Sequence, residues 1–360
     1  MEKNELKVSA PGRICLLGEH QDYFGLSIIA AAINLRIFIQ GKKRSDRSFK
    51  IQLPDIGSQE EFSLEKELAY TDKRDYLKST VNVLQRNGFY FPNGWDCTIH
   101  GTIPINSGTA SSSAMVVAWV KFLLETIRHK QAKQPERLAE FAFLSEVAEF
   151  NEPGGKMDHY SSAFGGVIAI HFNEKMTYKK LKNPLKEFVL ADSLQRKDTT
   201  GMLGYIKNHV LKGVSSVKKQ IKDFDFYYPL TQNVQDEIDR LEPTVRRLLK
   251  GTLLTRDLTM EGEKIFEKIP FDHDKFGRLL SQQHEILRDY IQTSTKKIDS
   301  MIEVSLKAGA LGAKINGSGG GGCIFAYAPG KAEEVADALE KLGTKPLIIR
   351  IDDGARKNSD

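Results

Sequence analysis

One segment near the start of the sequence is rich in polar and ionisable side chains. Residues 12–23 place Arg13, Glu19, His20 and Asp22 around a short apolar stretch. Carboxylates and an imidazole form directional hydrogen bonds with hydroxyl groups, so this set suits a polyhydroxylated ligand. An exposed, salt-bridged turn explains the same residues equally well. As a metal site, one histidine with two carboxylates would be weak.

A second segment, residues 104–114, combines small residues with serines between a predicted strand and a predicted helix. Its candidate phosphate-binding residues are Gly108, Thr109, Ala110, Ser111, Ser112 and Ser113. Small residues let backbone N–H groups approach an anion, and the positive end of the following helix points at it. The alternative is a Ser/Thr-rich cap on an ordinary helix. No G-x-x-x-x-G-K-[ST] sequence is present, which excludes a Walker-type phosphate loop.

A third segment begins Gly317-Ser318-Gly319 and continues as glycine to residue 322. It matches the dinucleotide fingerprint G-x-G-x-x-G, the only hint of an NAD-dependent dehydrogenase. That fingerprint opens a helix, however, whereas this run leads into a strand-like segment. Consecutive glycines cost backbone entropy and pack no side chain. Close approach to a ligand or to another backbone therefore explains them better than a flexible connector.

A fourth candidate is Asp158, which follows Gly154-Gly155 at a predicted helix start. An Asp in this position is often only a cap or a first-turn acid favoured by the helix dipole. A catalytic role for Asp158 therefore depends on the residues that accompany it.

The elements that position these residues follow from hydrophobic periodicity and from breaker residues. Strands are predicted at 7–10, 35–40, 49–53, 96–104, 166–172, 313–316, 323–328 and 346–351. Helices are predicted at 110–128, 135–150, from about 157, and at 234–249, 275–290 and 296–308. This order indicates an α+β protein rather than a strict βαβ series. The length of 360 residues predicts two domains, and we place their boundary near residue 190.

Bulk composition excludes several classes of protein. The net charge of +5 is small and its basic residues are dispersed, which argues against nucleic acid binding. Cys15, Cys97 and Cys323 are too far apart to indicate a disulfide framework or a zinc site. The longest early apolar run, residues 28–33, is too short for a signal peptide or a membrane span. We therefore expect a cytoplasmic protein without a membrane partner.

Together and in this order, the four segments resemble the GHMP kinase superfamily and, within it, the galactokinases. Residues 10–23 look like the galactokinase signature, of which G-E-H-x-D-Y is the specific part. Mevalonate kinases share A-P-G and G-E-H but lack an Asp at the position of Asp22, which favours a sugar. Residues 104–114 are similar to the motif P-x-x-x-G-L-S-S-S-A, with one residue more. Residues 309–323 are similar to the third motif.

The resemblance implies the α+β, two-domain GHMP kinase fold. Residues 1–190 would form the N-terminal domain, similar to domain 2 of ribosomal protein S5. Residues 191–360 would form a ferredoxin-like C-terminal domain.

The resemblance also implies an ATP-dependent kinase that phosphorylates a monosaccharide, at the anomeric C1 hydroxyl if the galactokinase likeness extends so far. Asp158 would be the catalytic base, kept ionised by Arg13. The residues implied to bind the acceptor are Glu19, His20, Asp22 and Gly155. Those implied to bind ATP are Gly108, Thr109, Ala110, Ser111, Ser112, Ser113, Gly317, Ser318 and Gly319.

Two ligands of Mg²⁺ are implied in the same way. Aligning the second motif on Ala114 makes Ser113 one ligand. An ungapped count of twelve residues back from Asp158 makes Glu146 the other, with Glu149 as the alternative.

Departures from the family pattern keep other substrates open. The family's G-I-M-D-Q stands here as G-K-M-D-H, so Lys156 and His159 could favour an anionic sugar. The alternatives are a GHMP kinase for a heptose phosphate, a uronic acid, arabinose or fucose. A rival of another class is a non-catalytic binding protein that keeps the fold.

Overall fold

In a computed structural model of the protein, the described residues are 4–105, 107–172, 176–195, 199–228 and 230–358. They form two β-sheets with helices packed against them. The strands and helices do not alternate as βαβ units, so the predicted α+β class is confirmed. Within these residues, no helix combines the length and apolar character that crossing a bilayer requires.

The strands divide between the two sheets. In chain order they are β1 (Glu5–Leu17), β2 (Ile28–Lys43), β3 (Ser48–Leu53), β4 (Ser58–Ser63), β5 (Trp95–Gly101), β6 (Val167–His171), β7 (Thr177–Leu181), β8 (Phe188–Asp192), β9 (Gly312–Ile315), β10 (Cys323–Tyr327), β11 (Lys345–Ile349) and β12 (Arg356–Lys357). The first sheet has the order β12-β1-β2-β5-β3-β4, with β6 paired to β2 and β7 to β6. The second has the order β11-β8-β10-β9.

The position of β8 bears on the domain boundary. Residue 190 lies inside β8, and the whole of β8 pairs with β10 and β11 in the second sheet. A boundary inside a paired strand would divide that sheet. We therefore propose that the division lies just before Phe188, close to the position predicted from the sequence.

Strand β1 carries the first chemistry-bearing segment. The sequence predicts a strand that stops before Pro11, but β1 continues to Leu17. Its pairing with β2 shifts register between Pro11 and Arg13 and again between Cys15 and Leu17. Such bulges accommodate a Pro-Gly pair within a strand and change the direction of the following side chains. The predicted end of the strand is therefore wrong.

The helices are α1 (Tyr76–Arg86), α2 (Ser111–Thr126), α3 (Pro135–Phe143), α4 (Met157–Phe164), α5 (Thr199–Gln220), α6 (Gln232–Asp239), α7 (Pro243–Phe266), α8 (His273–Ile286), α9 (Lys296–Lys307) and α10 (Ala332–Glu340). The prediction of one helix over 234–249 is wrong. Pro243 starts a new helix, and the side chain of Glu242 caps it by accepting from the amides of Thr244 and Val245. Single π-helical turns extend α3 and α8.

Buried side chains join the two sheets. One cluster lies between the first sheet and helices α1 to α4, and includes the stacked rings of Trp119 and Phe122. Another contains Ile14 of β1, Phe325 of β10 and Phe276 of α8. Because β1 and β10 share this cluster, the first chemistry-bearing segment is packed against the strand that follows the glycine run.

The end of the chain returns to the first sheet, where β12 pairs with β1. The buried guanidinium of Arg36 holds this return. It donates to the Asp352 carboxylate at 2.7 Å and to the carbonyls of Asp353 at 2.8 Å and Gly354 at 2.7 Å. A guanidinium has five N–H donors in a fixed plane, which suits several converging acceptors.

We expect Arg36→Ala to lower the free energy of unfolding by about 3 kcal/mol, because it leaves a carboxylate and two carbonyls without their donor. Urea unfolding followed by circular dichroism measures the change. The control is Arg137→Ala, which removes an exposed pair with Glu140 and should leave the midpoint almost unchanged. Equal midpoints for the two variants would contradict the assigned role of Arg36.

Candidate active site

A cleft of about 490 Å³ lies where the chemistry-bearing segments meet. The predicted site residues that line it are Arg13, Glu19, His20, Asp22, Gly108, Ala110, Ser111, Ser112, Ser113, Glu146, Gly155, Asp158, Gly317 and Ser318. Two predicted residues, Thr109 and Gly319, do not line it. Segments that are distant in sequence are therefore brought together by the fold.

Asp158 lies in the first turn of α4 and faces Arg13. Nε and Nη2 of Arg13 both contact Oδ1 of Asp158, at 2.8 and 2.7 Å. Burial opposes the charge of Arg13, but Asp158 and Glu19 raise its pKa, so the guanidinium stays charged. The Asp158 side chain is 29% exposed, and its Oδ2 accepts no hydrogen bond from the described residues. A carboxylate held in this way can accept a proton from a hydroxyl group in the cleft.

Asp22 lies directly against the glycine that precedes α4. Its Oδ2 accepts from the amide of Met157 at 3.1 Å, and its Oδ1 from the amide of Tyr23 at 3.0 Å. A Cβ atom on Gly155 would lie 2.0 Å from Oδ2 of Asp22. Gly155 must therefore be glycine for the Asp22 carboxylate to reach the start of α4.

The charge of Asp22 is sensitive to pH. Burial and the neighbouring Asp158 carboxylate raise the pKa of Asp22 to about 6, although its two backbone hydrogen bonds act in the opposite direction. Asp22 is thus ionised above about pH 6 and protonated below it. Next to it, Nδ1 of His20 lies 2.8 Å from the hydroxyl of Tyr23.

Helix α2 begins at the candidate phosphate loop. Its N-cap residue, Ala110, has a left-handed φ of 60° and provides no side-chain cap. The first amides of α2 therefore do not donate to a side chain of the cap residue, and an anion in the cleft could accept from them. Thr109 is engaged elsewhere, because its hydroxyl lies 2.7 Å from that of Ser107 and its carbonyl accepts from the amide of Arg13.

Glu146 lies beneath the serines of α2. Its Oε2 is 2.7 Å from Nε2 of His159, and both side chains are buried. Burial disfavours the charged carboxylate. Hydrogen bonds from His159, Ser112 and Ser113 nevertheless hold the pKa of Glu146 below its usual value. An anionic oxygen ligand is therefore available beside a serine hydroxyl.

This pair of oxygen donors fits Mg²⁺. Magnesium ions in kinases are bound by one or two protein oxygens, waters and substrate phosphates, rather than by a complete protein cage. Within the described residues, no cluster of three His, Cys, Asp or Glu side chains forms such a cage. Glu149, the alternative ligand, is instead paired with Arg86 at 2.8 Å.

Glu19 connects the first motif to the third. Its Oε2 accepts from Nζ of Lys314 at 2.7 Å, and its Oε1 accepts from the amide of Gly317 at 3.0 Å. The side chains of this ion pair are 2% and 0% exposed. Both carboxylate oxygens of Glu19 are thus engaged within the protein, and its contact with an acceptor stays a prediction.

The glycine run follows a path that a side chain would obstruct. Gly317 and Gly319 have φ values of 84° and 79°. A Cβ atom on Gly317 would lie 2.9 Å from Cα of Gly108, and one on Gly319 would lie 2.4 Å from Cβ of Thr293. Close backbone approach, the interpretation favoured from the sequence, explains both glycines.

The carbonyl oxygen of Gly108 is a meeting point of the three motifs. It accepts from Nη1 of Arg13 and, at 2.9 Å, from Nδ2 of Asn316. The side-chain oxygen of Asn316 accepts in turn from the amide of Cys15 at 2.9 Å. The phosphate loop is thereby fixed to both other motifs.

Sequence reasoning missed the roles of several residues. Lys314 could have been found because it is the one charged residue of an otherwise apolar strand, β9, just before the glycine run. The signal for His159 was its place beside Asp158, although it faces Glu146. Part of the cleft lining is apolar and suits a planar base. Its residues, which the sequence pattern does not distinguish from ordinary core, are Leu53, Leu77, Ile99, Ile103 and Met115.

Three family models match successive parts of the chain. The galactokinase galactose-binding signature matches residues 2–43, the N-terminal domain of GHMP kinases residues 75–166, and the C-terminal domain of GHMP kinases residues 264–345. These regions contain the first motif, the phosphate loop with Asp158, and the glycine run.

Curated relatives extend over almost the whole chain. The mevalonate kinase of Pyrococcus furiosus is 28% identical, with 95% of each chain covered. The galactokinase of Pasteurella multocida is 26% identical over 90% of this chain and 85% of its own.

A solved structure has the same fold. The galactokinase of Lactococcus lactis in complex with galactose superposes with a TM-score of 0.85 at 21% identity, over 99% of this chain and 96% of its own. The likeness shows the fold, and the three family models with the motifs around the cleft place the chain in the GHMP kinase superfamily of ATP-dependent phosphotransferases that act on a hydroxyl group.

Proposed function

We propose that this kinase is a galactokinase-like sugar kinase that phosphorylates a monosaccharide at the anomeric C1 hydroxyl, giving a sugar 1-phosphate. Galactose is the leading candidate, ATP is the phosphoryl donor, and Mg²⁺ accompanies it. The match of the galactose-binding signature to residues 2–43 supports a sugar acceptor.

The observation that carries the proposal is the place of Asp22. Its carboxylate lies against Gly155, beside Asp158 and within the matched signature. An ionised carboxylate accepts hydrogen bonds from hydroxyl groups with good directionality, so it suits a neutral polyol. A site built to bind hydroxyl groups also rejects analogues that lack them.

In the proposed mechanism, Asp158 accepts the proton of the attacking sugar hydroxyl. Its contacts with Arg13 use Oδ1, so Oδ2 is the oxygen that takes the proton. The guanidinium of Arg13 also offsets the negative charge of the incoming phosphoryl group. Phosphoryl transfer depends mainly on positioning and charge stabilisation, which these two rigidly paired groups provide.

The phosphates of ATP would lie between the first turn of α2 and the glycine run. Backbone N–H groups and the serine hydroxyls of α2 would hold them without a lysine of the Walker type. Ser113 and Glu146 would hold Mg²⁺, which, when bound, neutralises charge on the phosphate oxygens. The apolar part of the cleft lining would contact the adenine ring of ATP.

Mevalonate is a second candidate acceptor, because a mevalonate kinase relative is 28% identical over 95% of the chain. Mevalonate carries a carboxylate and needs a cation. The described arginines that line the cleft are both paired, Arg13 with Asp158 and Arg74 with Glu152. An anionic acceptor would also face Asp22, whose like charge disfavours it.

The two residues that suggested an anionic sugar both have contacts within the protein. Nζ of Lys156 lies 5.3 Å from the centre of the Phe143 ring, and Lys156 does not line the cleft. His159 contacts Glu146. A heptose phosphate or a uronic acid is therefore less favoured than a neutral sugar, whereas arabinose and fucose stay alternatives to galactose.

A coupled assay of ADP release over a panel of acceptors tests the proposed substrate class. Galactose, arabinose, fucose, a uronic acid, a heptose phosphate and mevalonate are each supplied with MgATP. We expect kcat/KM for a neutral sugar to exceed that for each anionic acceptor at least about 100-fold, a difference typical of unmatched buried charge. Highest activity on mevalonate or on a sugar phosphate would overturn the proposal.

Asp158→Asn is expected to lower kcat at least about 100-fold, because the amide cannot accept the hydroxyl proton. The affinity for ADP, measured by calorimetry, should stay unchanged. The matched control is Asp257→Asn, which removes a carboxylate from the buried Arg256 on α7. Turnover of the Asp158 variant within about tenfold of wild type would refute its role as the base.

The pH dependence of kcat/KM for the sugar tests the role of Asp22. We expect an acidic limb with a midpoint near the Asp22 pKa of about 6. Activity should rise with pH through that value, because ionisation creates the acceptor that the sugar needs. Phosphates of ATP titrate in the same range, so Asp22→Asn is the comparison. An identical limb in that variant would show that Asp22 is not its source.

A further inference from the structure

The pair formed by His159 and Glu146 lies under the start of α2. The 2.7 Å contact joins Nε2 of His159 to Oε2 of Glu146, and the two side chains are 2% and 7% exposed. A carboxylate such as that of Glu146 accepts hydrogen bonds and has no proton to donate. Nε2 of His159 must therefore carry the proton and donate it.

The surroundings of His159 fix the orientation of its ring. The edge of the ring meets Phe143 at a centroid distance of 5.8 Å and an angle of 88°. His159 projects from the first turn of α4, one residue after Asp158. Its Nδ1 has no hydrogen-bond partner among the described residues. The contact with Glu146 is thus the polar interaction that directs this imidazole.

The contact leaves the other oxygen of Glu146 outside the His159 hydrogen bond. The hydroxyl groups of Ser112 and Ser113 lie near Glu146 and favour its charged form. A glutamate side chain has several rotatable bonds, and holding it in one orientation costs conformational entropy when a ligand binds. A donor that fixes one oxygen beforehand removes part of that cost.

We propose that His159 is a positioning residue for the metal carboxylate: its Nε2–H fixes Oε2 of Glu146 and presents Oε1 to the divalent cation that accompanies ATP. This inference rests on the magnesium site proposed above. Hydrogen-bonded partners of metal ligands commonly contribute 10- to 100-fold to metal affinity.

A purely structural role for His159 is the alternative, since it packs among α3, α4 and the start of α2. A packing role predicts lower stability with unchanged metal affinity. A positioning role predicts weaker metal binding that a residue with a similar N–H donor restores. Metal affinity in the nucleotide complex therefore separates the two.

The test measures Mn²⁺ binding to the full-length protein saturated with ADP, by electron paramagnetic resonance of free Mn²⁺. We expect His159→Leu to weaken Mn²⁺ binding about tenfold or more and His159→Gln to stay within about threefold of wild type. His159→Asn, whose amide is shorter, replaces the leucine variant if that variant does not fold. Metal-free ADP affinity should be unchanged in all of them.

The matched control is His171→Leu, which removes the contact of another histidine with a glutamate, Glu263, at 3.3 Å. It should leave Mn²⁺ affinity unchanged. Mn²⁺ affinity within about twofold of wild type in a folded His159→Leu or His159→Asn variant would overturn the proposal.

Glu146→Gln distinguishes failure of the inference from failure of the metal site. If Glu146→Gln weakens Mn²⁺ binding but the His159 variants do not, the site stands and the positioning role is refuted. If Glu146→Gln leaves Mn²⁺ affinity unchanged, the proposed metal site fails, and the role of His159 fails with it. In a protein that already carries Glu146→Gln, His159→Leu should cause no further loss of Mn²⁺ affinity.

Discussion

A single carbonyl oxygen holds the cleft together. The carbonyl of Gly108 accepts from Arg13 of the first motif and from Asn316 of the third, while it belongs to the second. Buried backbone acceptors are costly to leave unpaired, so this contact fixes the relative position of the motifs as well as satisfying the peptide group. The close approach of Gly317 to Gly108 requires a residue without a side chain at position 317.

Charge is balanced in pairs around this point. Lys314 neutralises Glu19 at the base of the cleft, and Arg13 neutralises Asp158 nearer to its opening. Removing two ions from water is expensive, so the Glu19–Lys314 pair is weak evidence for added stability. Its geometry instead connects β1 to β9, and the additional hydrogen bond from Gly317 fixes the start of the glycine run. Asp22 forms no ion pair within the described residues, and burial together with the Asp158 carboxylate raises its pKa.

Much of the candidate site could be anticipated from local sequence. The order of the motifs and the ungapped count from Asp158 to Glu146 depend on residues that are close along the chain. The partner of Glu19 could not be found in this way, because Lys314 lies in another sheet and only the packing of β1 against β10 brings it near. The sequence also did not indicate how the phosphate loop accommodates its extra residue. In the structure Thr109 is buried and Ala110 adopts a left-handed conformation.

Helix ends were predicted less well where a cap competes with periodicity. The pattern over 234–249 is helical throughout, and only Pro243 with the Glu242 cap divides it. The sequence underestimated the length of β1, because Pro11 and Gly12 typically end strands. In the structure, two bulges keep β1 continuous past them. Both errors arise where backbone geometry overrides the propensity of single residues.

Because β12 pairs with β1, the first sheet is complete only after the residues near 357 have been synthesised. Strand β1, which carries Arg13, is synthesised long before the residues near 357 that pair with its outer edge at Val8 and Ser9. An uncovered strand edge can pair with another chain. During synthesis, this part of the edge therefore stays open to chaperones and to misassembly until the residues near 357 have been made.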